Sequence, residues 1–310
     1  MLINIKNLTK SFEDNLAVDN LSLSIDKGEI LGFLGPNGAG KTTTINMITS
    51  ILKPTKGEIE IFGKSFFKHA PEIKSRMGIV PQNIALYENL TVEENIIFFA
   101  KLYGLRKNLL KEGLDFALDF TSLQDHKSTK CKHLSSGMQR RLNIACAISH
   151  KPEIIIMDEP TVGIDTQSRN HILHMVKKLN EEGCTIIYTS HYMEEVQQLC
   201  NKIAIMDNGK LIAKGTKDEL ISLISDNSTL EIEVYDINEN LLENLMQIKG
   251  VTQYTVNKGK VLISSSKDVS NLNHIINFFT SNNIEIKNLG YKSLDLEDVF
   301  LTLTGKKLRD

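Results

Sequence analysis

The chain of 310 residues carries 36 Lys plus Arg against 38 Asp plus Glu, for a formal charge of −2, with 41% hydrophobic and 24% charged residues. That length suits about two domains of ~150 residues, and the composition excludes a collagen-like repeat, a disordered chain and a disulfide miniprotein. No stretch reaches the ~18 consecutive apolar residues of a membrane span, since the richest, Ile96 to Ala100 and Ile154 to Met157, are far too short.

The opening segment Met1 to Lys6 lacks a basic region followed by an apolar core, so no secretory signal is visible and a cytoplasmic location is expected. Cys131, Cys146, Cys184 and Cys200 show no CxxC spacing, which reads as reduced, buried thiols. Neither the first 225 residues nor the remainder has the strong basic excess of a backbone-binding protein, so no nucleic-acid partner is expected.

Along the first 225 residues, short β-branched runs alternate with helical patterns, the signature of an α/β layer structure with parallel strands. Glu29 to Gly35 reads as a buried strand entering a glycine loop, and Lys41 to Leu52 as the helix that follows. A mainly helical stretch covers about residues 88 to 150, where Thr91-Val92-Glu93-Glu94 has the form of a capping box. Glu153 to Met157 and Cys184 to Thr189 are further strands, and Thr216 to Glu219 is a second capping box that starts the last helix of this unit.

From residue 226 the texture changes to Asn- and Ser-rich turns between short alternating strands. Strands are predicted over Thr229 to Tyr235, Val251 to Val256, Lys260 to Ser265 and Asn283 to Leu289. Helices are predicted over Asn238 to Ile248 and Val269 to Thr280, with a hairpin turn at Asn257-Lys258-Gly259. The order β-α-β-β-α-β suggests a small ferredoxin-like α+β module over 226–310. Asp295 is placed to cap a final helix through Leu303, ended by Gly305.

Gly35-Pro36-Asn37-Gly38-Ala39-Gly40-Lys41-Thr42 matches GxxxxGK[ST] in full, between a strand and a helix, which is the context the motif requires. Glycines let the backbone curl around phosphate and aim N–H groups inward, and the helix N-terminus adds partial positive charge. Lys41 supplies a point charge for the β- and γ-phosphates, Thr42 a hydroxyl for Mg²⁺, and Thr43 continues the binding turn. Chance gives such a pattern on the order of once per hundred chains of this size.

Downstream, Asp158-Glu159-Pro160 places two carboxylates at the end of an apolar strand, where ligands sit in open α/β sheets. Joined to a phosphate loop, the pair reads as chemistry: Asp158 holds Mg²⁺ through water, and Glu159 orients or deprotonates the attacking water.

With these motifs in place, residues 2 to 225 resemble the ATP-binding cassette of ABC transporters. The segment that carries the resemblance is Leu134-Ser135-Ser136-Gly137-Met138, which is similar to the family's LSGGQ signature loop opening a helix. The resemblance implies that Ser135 and Gly137 of one protomer close over ATP held by another, in a head-to-tail homodimer with two composite sites. Ser136 replaces a Gly and Met138 a Gln; were position 136 to need positive φ, Ser would cost about 1–2 kcal/mol. Four further elements fall in family order. Phe12 matches the aromatic that stacks on adenine, Gln82 the glutamine that reaches Mg²⁺ and the attacking water, Gly163-Ile164-Asp165 the loop that crosses the dimer interface, and His191 the histidine that contacts γ-phosphate. Arg140 and Arg141, just after the signature, read as an ordinary solvated helix face.

The fold implied is a P-loop NTPase cassette, an α/β mixed-sheet core with a helical subdomain at about 88–150, over residues 1–225. The tail Ser293 to Gly305 resembles the ending of separately encoded ATPases in bacterial drug, antibiotic and polysaccharide export systems. The implied activity is hydrolysis of ATP with Mg²⁺, powering a separate integral-membrane permease, with the chain peripheral on the inner face of the cell membrane. The alternative is a soluble ABC ATPase, or a nucleotide-dependent sensing or immunity module uncoupled from transport.

Overall fold

The computed structural model describes residues 1–13, 15–224, 227–235, 242–257, 260–266, 268–292 and 294–305. The chain divides into two compact units, Met1–Lys217 with the segment from Leu303, and Asp218–Thr302. Residues 225 and 226, where the sequence places the boundary, lie outside the described residues.

The first unit is built on a six-stranded sheet in which β3 (Ile30–Leu34), β6 (Met77–Val80), β7 (Ile154–Asp158), β8 (Thr185–Thr189) and β9 (Lys202–Asp207) run parallel, with β10 (Lys210–Gly215) antiparallel at one edge. β3 and β8 are buried at every residue, which explains why they read as continuous apolar runs rather than alternations. Side chains still alternate between faces. Ile154 and Ile156 enter one core, and Ile155 and Met157 the other.

On the first face lies an antiparallel sheet of β1 (Ile3–Phe12), β2 (Asn15–Ile25), β4 (Lys56–Ile61) and β5 (Lys64–Ser65), in the order β2-β1-β4-β5. Helix α1 (Lys41–Ile48) contributes Ile45, Met47 and Ile48 to the core shared with this sheet, and the short α2 (Ala70–Lys74) contributes Ile73. The opposite face is covered by α3 (Val92–Leu102), α4 (Lys107–Phe120), α5 (Ser136–Ile148) and α6 (Thr166–Glu181). The expected capping box is formed: Thr91 Oγ1 accepts from the Glu94 N–H at 3.1 Å, and Glu94 Oε2 accepts from the Thr91 N–H at 2.8 Å. The connection α7 (Met193–Leu199) after β8 completes this unit, and α8 (Lys217–Ile224) opens the second.

The strand order β10-β9-β3-β8-β7-β6 has one consequence for function. β3, β8, β7 and β6 are consecutive parallel neighbours, so the loops after their C-terminal ends stand side by side along one edge. Those loops are the glycine loop, Ser190-His191, Glu159-Pro160 and Pro81-Gln82.

The second unit carries a four-stranded antiparallel sheet, β11 (Asn227–Val234), β12 (Val251–Asn257), β13 (Lys260–Ser266) and β14 (Ile286–Lys292), in the order β12-β13-β11-β14. Helix α9 (Leu272–Ser281) connects β13 to β14. Leu230, Ile232, Val261 and Ile263 join Ile275 and Phe279 of α9 in one core, while the alternate residues Glu231 and Glu233 pair with Lys260 and Lys287.

Of the helix expected over Asn238 to Ile248, residues 238–241 lie outside the described residues, Leu242 is helical, and Glu243–Gln247 tighten into a 3₁₀ turn. Leu242 and Leu245, three apart, are both buried, a spacing that one 3₁₀ turn satisfies. Lys258 and Gly259 of the expected hairpin turn also lie outside the described residues. The last strand starts at Ile286 and ends at Lys292, later than Asn283 to Leu289. Asp295 does cap the final helix, α10 (Leu296–Thr304), its Oδ1 accepting from the N–H groups of Glu297 and Asp298 at 2.8 and 3.0 Å. No helix among the described residues is long and apolar enough to cross a membrane.

Candidate nucleotide-binding site

A cleft of ≈ 1000 Å³ opens at the shared strand edge. Its floor is the glycine loop after β3, and it is lined by Asn37, Gly38, Ala39, Gly40, Lys41, Thr42 and Thr43 together with Phe12, Gln82, Asp158, Glu159 and His191. Gly35 and Pro36 lie just behind, and their carbonyls accept from Lys41 Nζ. Gly40 is at φ +100°, and a Cβ there would stand 2.4 Å from the Ala17 carbonyl oxygen, so the loop closes only with glycine at this position. No side chain caps α1 and no acid stands in its first turn, which leaves the helix N-terminus to an anion.

Charge in the cleft is held against solvation. Burial raises the Asp158 carboxyl, with the neighbouring Glu159 adding to the rise, while the Thr189 hydroxyl and Lys41 oppose it. Burial lowers Lys41 below the usual ammonium value, opposed by Glu159 and Asp158. Three groups fix Glu159: Gln82 Nε2 donates to Oε2 at 2.8 Å, His191 Nδ1 stands 3.4 Å from Oε1, and its own N–H donates to Thr189 Oγ1 at 2.9 Å. Glu159 sits at φ +47°, a conformation that costs a non-glycine residue about 1–3 kcal/mol and persists only when neighbours impose it.

Two residues that sequence reasoning did not single out organise this chemistry. Thr189, paired in register with Asp158, donates to Asp158 Oδ1 at 2.6 Å while accepting from Glu159 N–H, so one hydroxyl sets both carboxylates. Glu195, 2% exposed on α7, accepts on Oε2 from Thr161, Tyr188 and Ser190, each at 2.8 Å. It thereby ties the loop after Glu159 to the loop before His191. The apolar run ending in Thr189-Ser190-His191 was the only signal for Thr189, and Glu195 had none beyond its place four residues after His191.

Ser135 and Gly137 lie outside the cleft. Ser135 is exposed and caps α5, its Oγ accepting from Met138 N–H at 3.3 Å. Gly137 is a close-approach position: a Cβ there would fall 2.2 Å from Ser168 Oγ, where α6 begins. Ser136 is the first residue of α5 and is not among the positive-φ residues, so the cost expected for replacing glycine does not arise. The Met138 side chain packs on the core below α5, and its N–H does the capping work.

One expectation is corrected. Arg140 is 4% exposed and donates Nη1 to the Pro81 carbonyl at 2.9 Å and Nη2 to the Gln82 carbonyl at 2.7 Å. Arg141 donates Nη1 to the carbonyls of Thr121 and Ser122 at 2.8 and 3.1 Å, closing the C-terminus of α4. Neither is a solvated helix face, because the free carbonyls left by a helix end and by a strand end draw both guanidiniums inward.

The donor set fits a magnesium nucleotide. Thr42 and Asp158 present oxygen ligands to the cleft, and among the described residues no group of three or more His, Cys, Asp or Glu could hold a metal alone. Mg²⁺ characteristically takes one or two protein oxygens and completes its shell with phosphate and water. Phe12, 42% exposed at the end of β1, also lines the cleft, with Lys10 Nζ 4.9 Å from its ring centroid.

Known proteins resemble this chain in sequence and fold. The ABC transporter family profile matches residues 18–162. The linearmycin resistance ATP-binding protein of Bacillus subtilis is 42% identical over 100% of both chains. A Nod factor export ATP-binding protein I of Cupriavidus metallidurans is 34% identical over 100% of this chain and 99% of its own. Among solved structures, an ATP-binding subunit of an ABC transporter matches with a TM-score of 0.66 and 29% identity, over 72% of this chain and 93% of that one. A dimeric, post-hydrolysis ATP-binding cassette bound to ADP and Pi matches at 0.63 and 27%, over 69% and 98%. The chain therefore belongs to the ABC transporter family, as an ATP-binding, ATP-hydrolysing subunit.

Proposed function

We propose that two copies of this chain close head to tail around two ATP molecules and so power a separate integral-membrane permease. The cargo is a drug, antibiotic, lipid or polysaccharide moved out of the cell, and the chain rests on the inner face of the membrane through its permease. The observation that carries the dimer is the position of Ser135 and Gly137 outside the cleft that gathers Lys41, Asp158, Glu159 and His191. Export is supported by relatives named for resistance and export, whose similarity runs through the C-terminal unit as well as the cassette.

The residues then take these roles. The loop from Gly35 to Thr43 and the N-terminus of α1 wrap the phosphates, Lys41 meets the β- and γ-phosphates, and Phe12 stacks on adenine. Thr42, Asp158 and Gln82 would hold Mg²⁺, which would supply charge neutralisation at the phosphates. Glu159 orients the attacking water and takes its proton, and Gln82 and His191 hold that carboxylate in place. Ser135 and Gly137 complete the other protomer's site. The helical face from Gln82 to Tyr103, with Tyr87 49% exposed and packed edge-on to Phe98, meets the permease.

Phosphate release by the purified chain with Mg-ATP tests the enzymatic core, and co-purification with a membrane protein tests the coupling. Turnover together with a co-purifying permease supports the transport reading. Turnover that no membrane protein accompanies or alters favours the uncoupled alternative.

A further inference from the structure

Arg140 is a buried cation with no carboxylate within salt-bridge distance among the described residues, and its Nε has no hydrogen-bond partner there. Burying a charge in this way is costly, and an apolar side chain would fill the space at less cost. What the guanidinium does hold is specific: the carbonyls of Pro81 and Gln82, at 2.9 and 2.7 Å. Gln82 in turn donates its side-chain amide to Glu159 at 2.8 Å.

These contacts form one continuous line. Ser135 caps the N-terminus of α5, and Arg140 stands five residues along the same helix, about 7.5 Å further down its axis. From Arg140 the line passes through the Gln82 backbone to the Gln82 side chain and ends on the Glu159 carboxylate. A planar two-pronged donor on two successive carbonyls fixes position and orientation together, which a lysine ammonium does not.

We infer that Arg140 is a positioning residue that couples the two nucleotide sites of the dimer. Engagement of Ser135 with ATP on the partner displaces α5, Arg140 carries that displacement to Gln82, and Gln82 sets Glu159 at the ATP of its own chain. Each site is thus armed by occupation of the other. This inference rests on the composite-site reading proposed above.

The test uses the full chain as wild type, Arg140→Met, Arg140→Lys and Glu159→Gln. Light scattering of Glu159→Gln with saturating Mg-ATP checks the underlying reading, since absence of a dimer overturns that reading and the coupling with it. With the dimer established, wild-type hydrolysis is expected to be cooperative in ATP. Arg140→Met keeps the affinity of the monomer for a fluorescent ATP analogue within about twofold, loses cooperativity, and lowers kcat about 10- to 100-fold. Arg140→Lys restores part of kcat but little cooperativity. Wild-type kcat and cooperativity in Arg140→Met overturn the coupling alone. Should that variant fail to fold, Arg140→Lys decides, and unchanged kcat and cooperativity in it overturn the inference equally.

Discussion

The molecule has two helix N-termini read as phosphate sites, and they are built in opposite ways. At α1 the glycine loop curls back, Lys41 is drawn under it, and the strand-edge loops raise walls around a cleft of ≈ 1000 Å³. At α5 the turn is exposed, and Ser135 spends its hydroxyl on its own Met138 N–H. A closed cradle binds by itself, whereas an open helix start with one short cap is half a site. On the composite-site reading proposed above, this chain carries a closed cradle and a separate part made for another copy's cleft.

The sharpest way to break the comparison is to disable each helix start in turn. Lys41→Ala removes the point charge from the closed cradle and is expected to lower kcat/KM about 10²- to 10³-fold, with nucleotide affinity lost in a fluorescent ATP titration. Ser135→Ala is expected to leave that titration unchanged while lowering turnover about tenfold at high protein concentration. It also costs about 1 kcal/mol of stability through the lost cap, read by urea unfolding. Equal loss of monomer affinity in both variants would abolish the distinction.

A smaller effect sharpens how the open helix start is held. Beyond the C-terminus of α5, the His150 ring stacks on Tyr103 at 3.6 Å and bonds the Met77 carbonyl through Nε2 at 3.1 Å. Burial lowers this imidazole from 6.5 to about 4, so its folded form is neutral. The stability that this ring contributes is full above pH 6.5 and is lost as pH falls toward 4, a change of about 2 kcal/mol after allowance for its remaining exposure. His150→Phe keeps the stack and removes the titration. Its stability deficit against wild type is expected to shrink between pH 7 and 4.5 in urea unfolding, and parallel pH profiles would contradict this assignment.

Much of the closed site was legible in the sequence because its chemistry needs fixed residue types at short spacing. The glycine loop, the acidic pair after β7 and His191 after β8 are contiguous strings, and parallel strands bring such strings to one edge. What stayed hidden depends on registers and loop closures between distant segments. Thr189 matters because it pairs with Asp158 across two strands, and Glu195 because two loops and a strand fold onto one carboxylate. Arg140 read as surface for the same reason: on its own helix nothing distinguishes it, and its partners lie 58 and 59 residues away. In the C-terminal unit, alternation revealed the strands that bury one face, but the tightening of the helical stretch into a 3₁₀ turn over Glu243–Gln247 stayed hidden because Leu242 and Leu245 suit both periods.

The central claim is that a closed cradle and an open helix start on different copies make one site. Light scattering of Glu159→Gln during titration with Mg-ATP tests it most directly, because loss of the carboxylate proposed to activate water is expected to stall hydrolysis without touching the phosphate loop. A nucleotide-dependent doubling of mass, abolished by adding Ser135→Ala, is the expected result. A Glu159→Gln protein that binds Mg-ATP yet stays monomeric at saturation would contradict it.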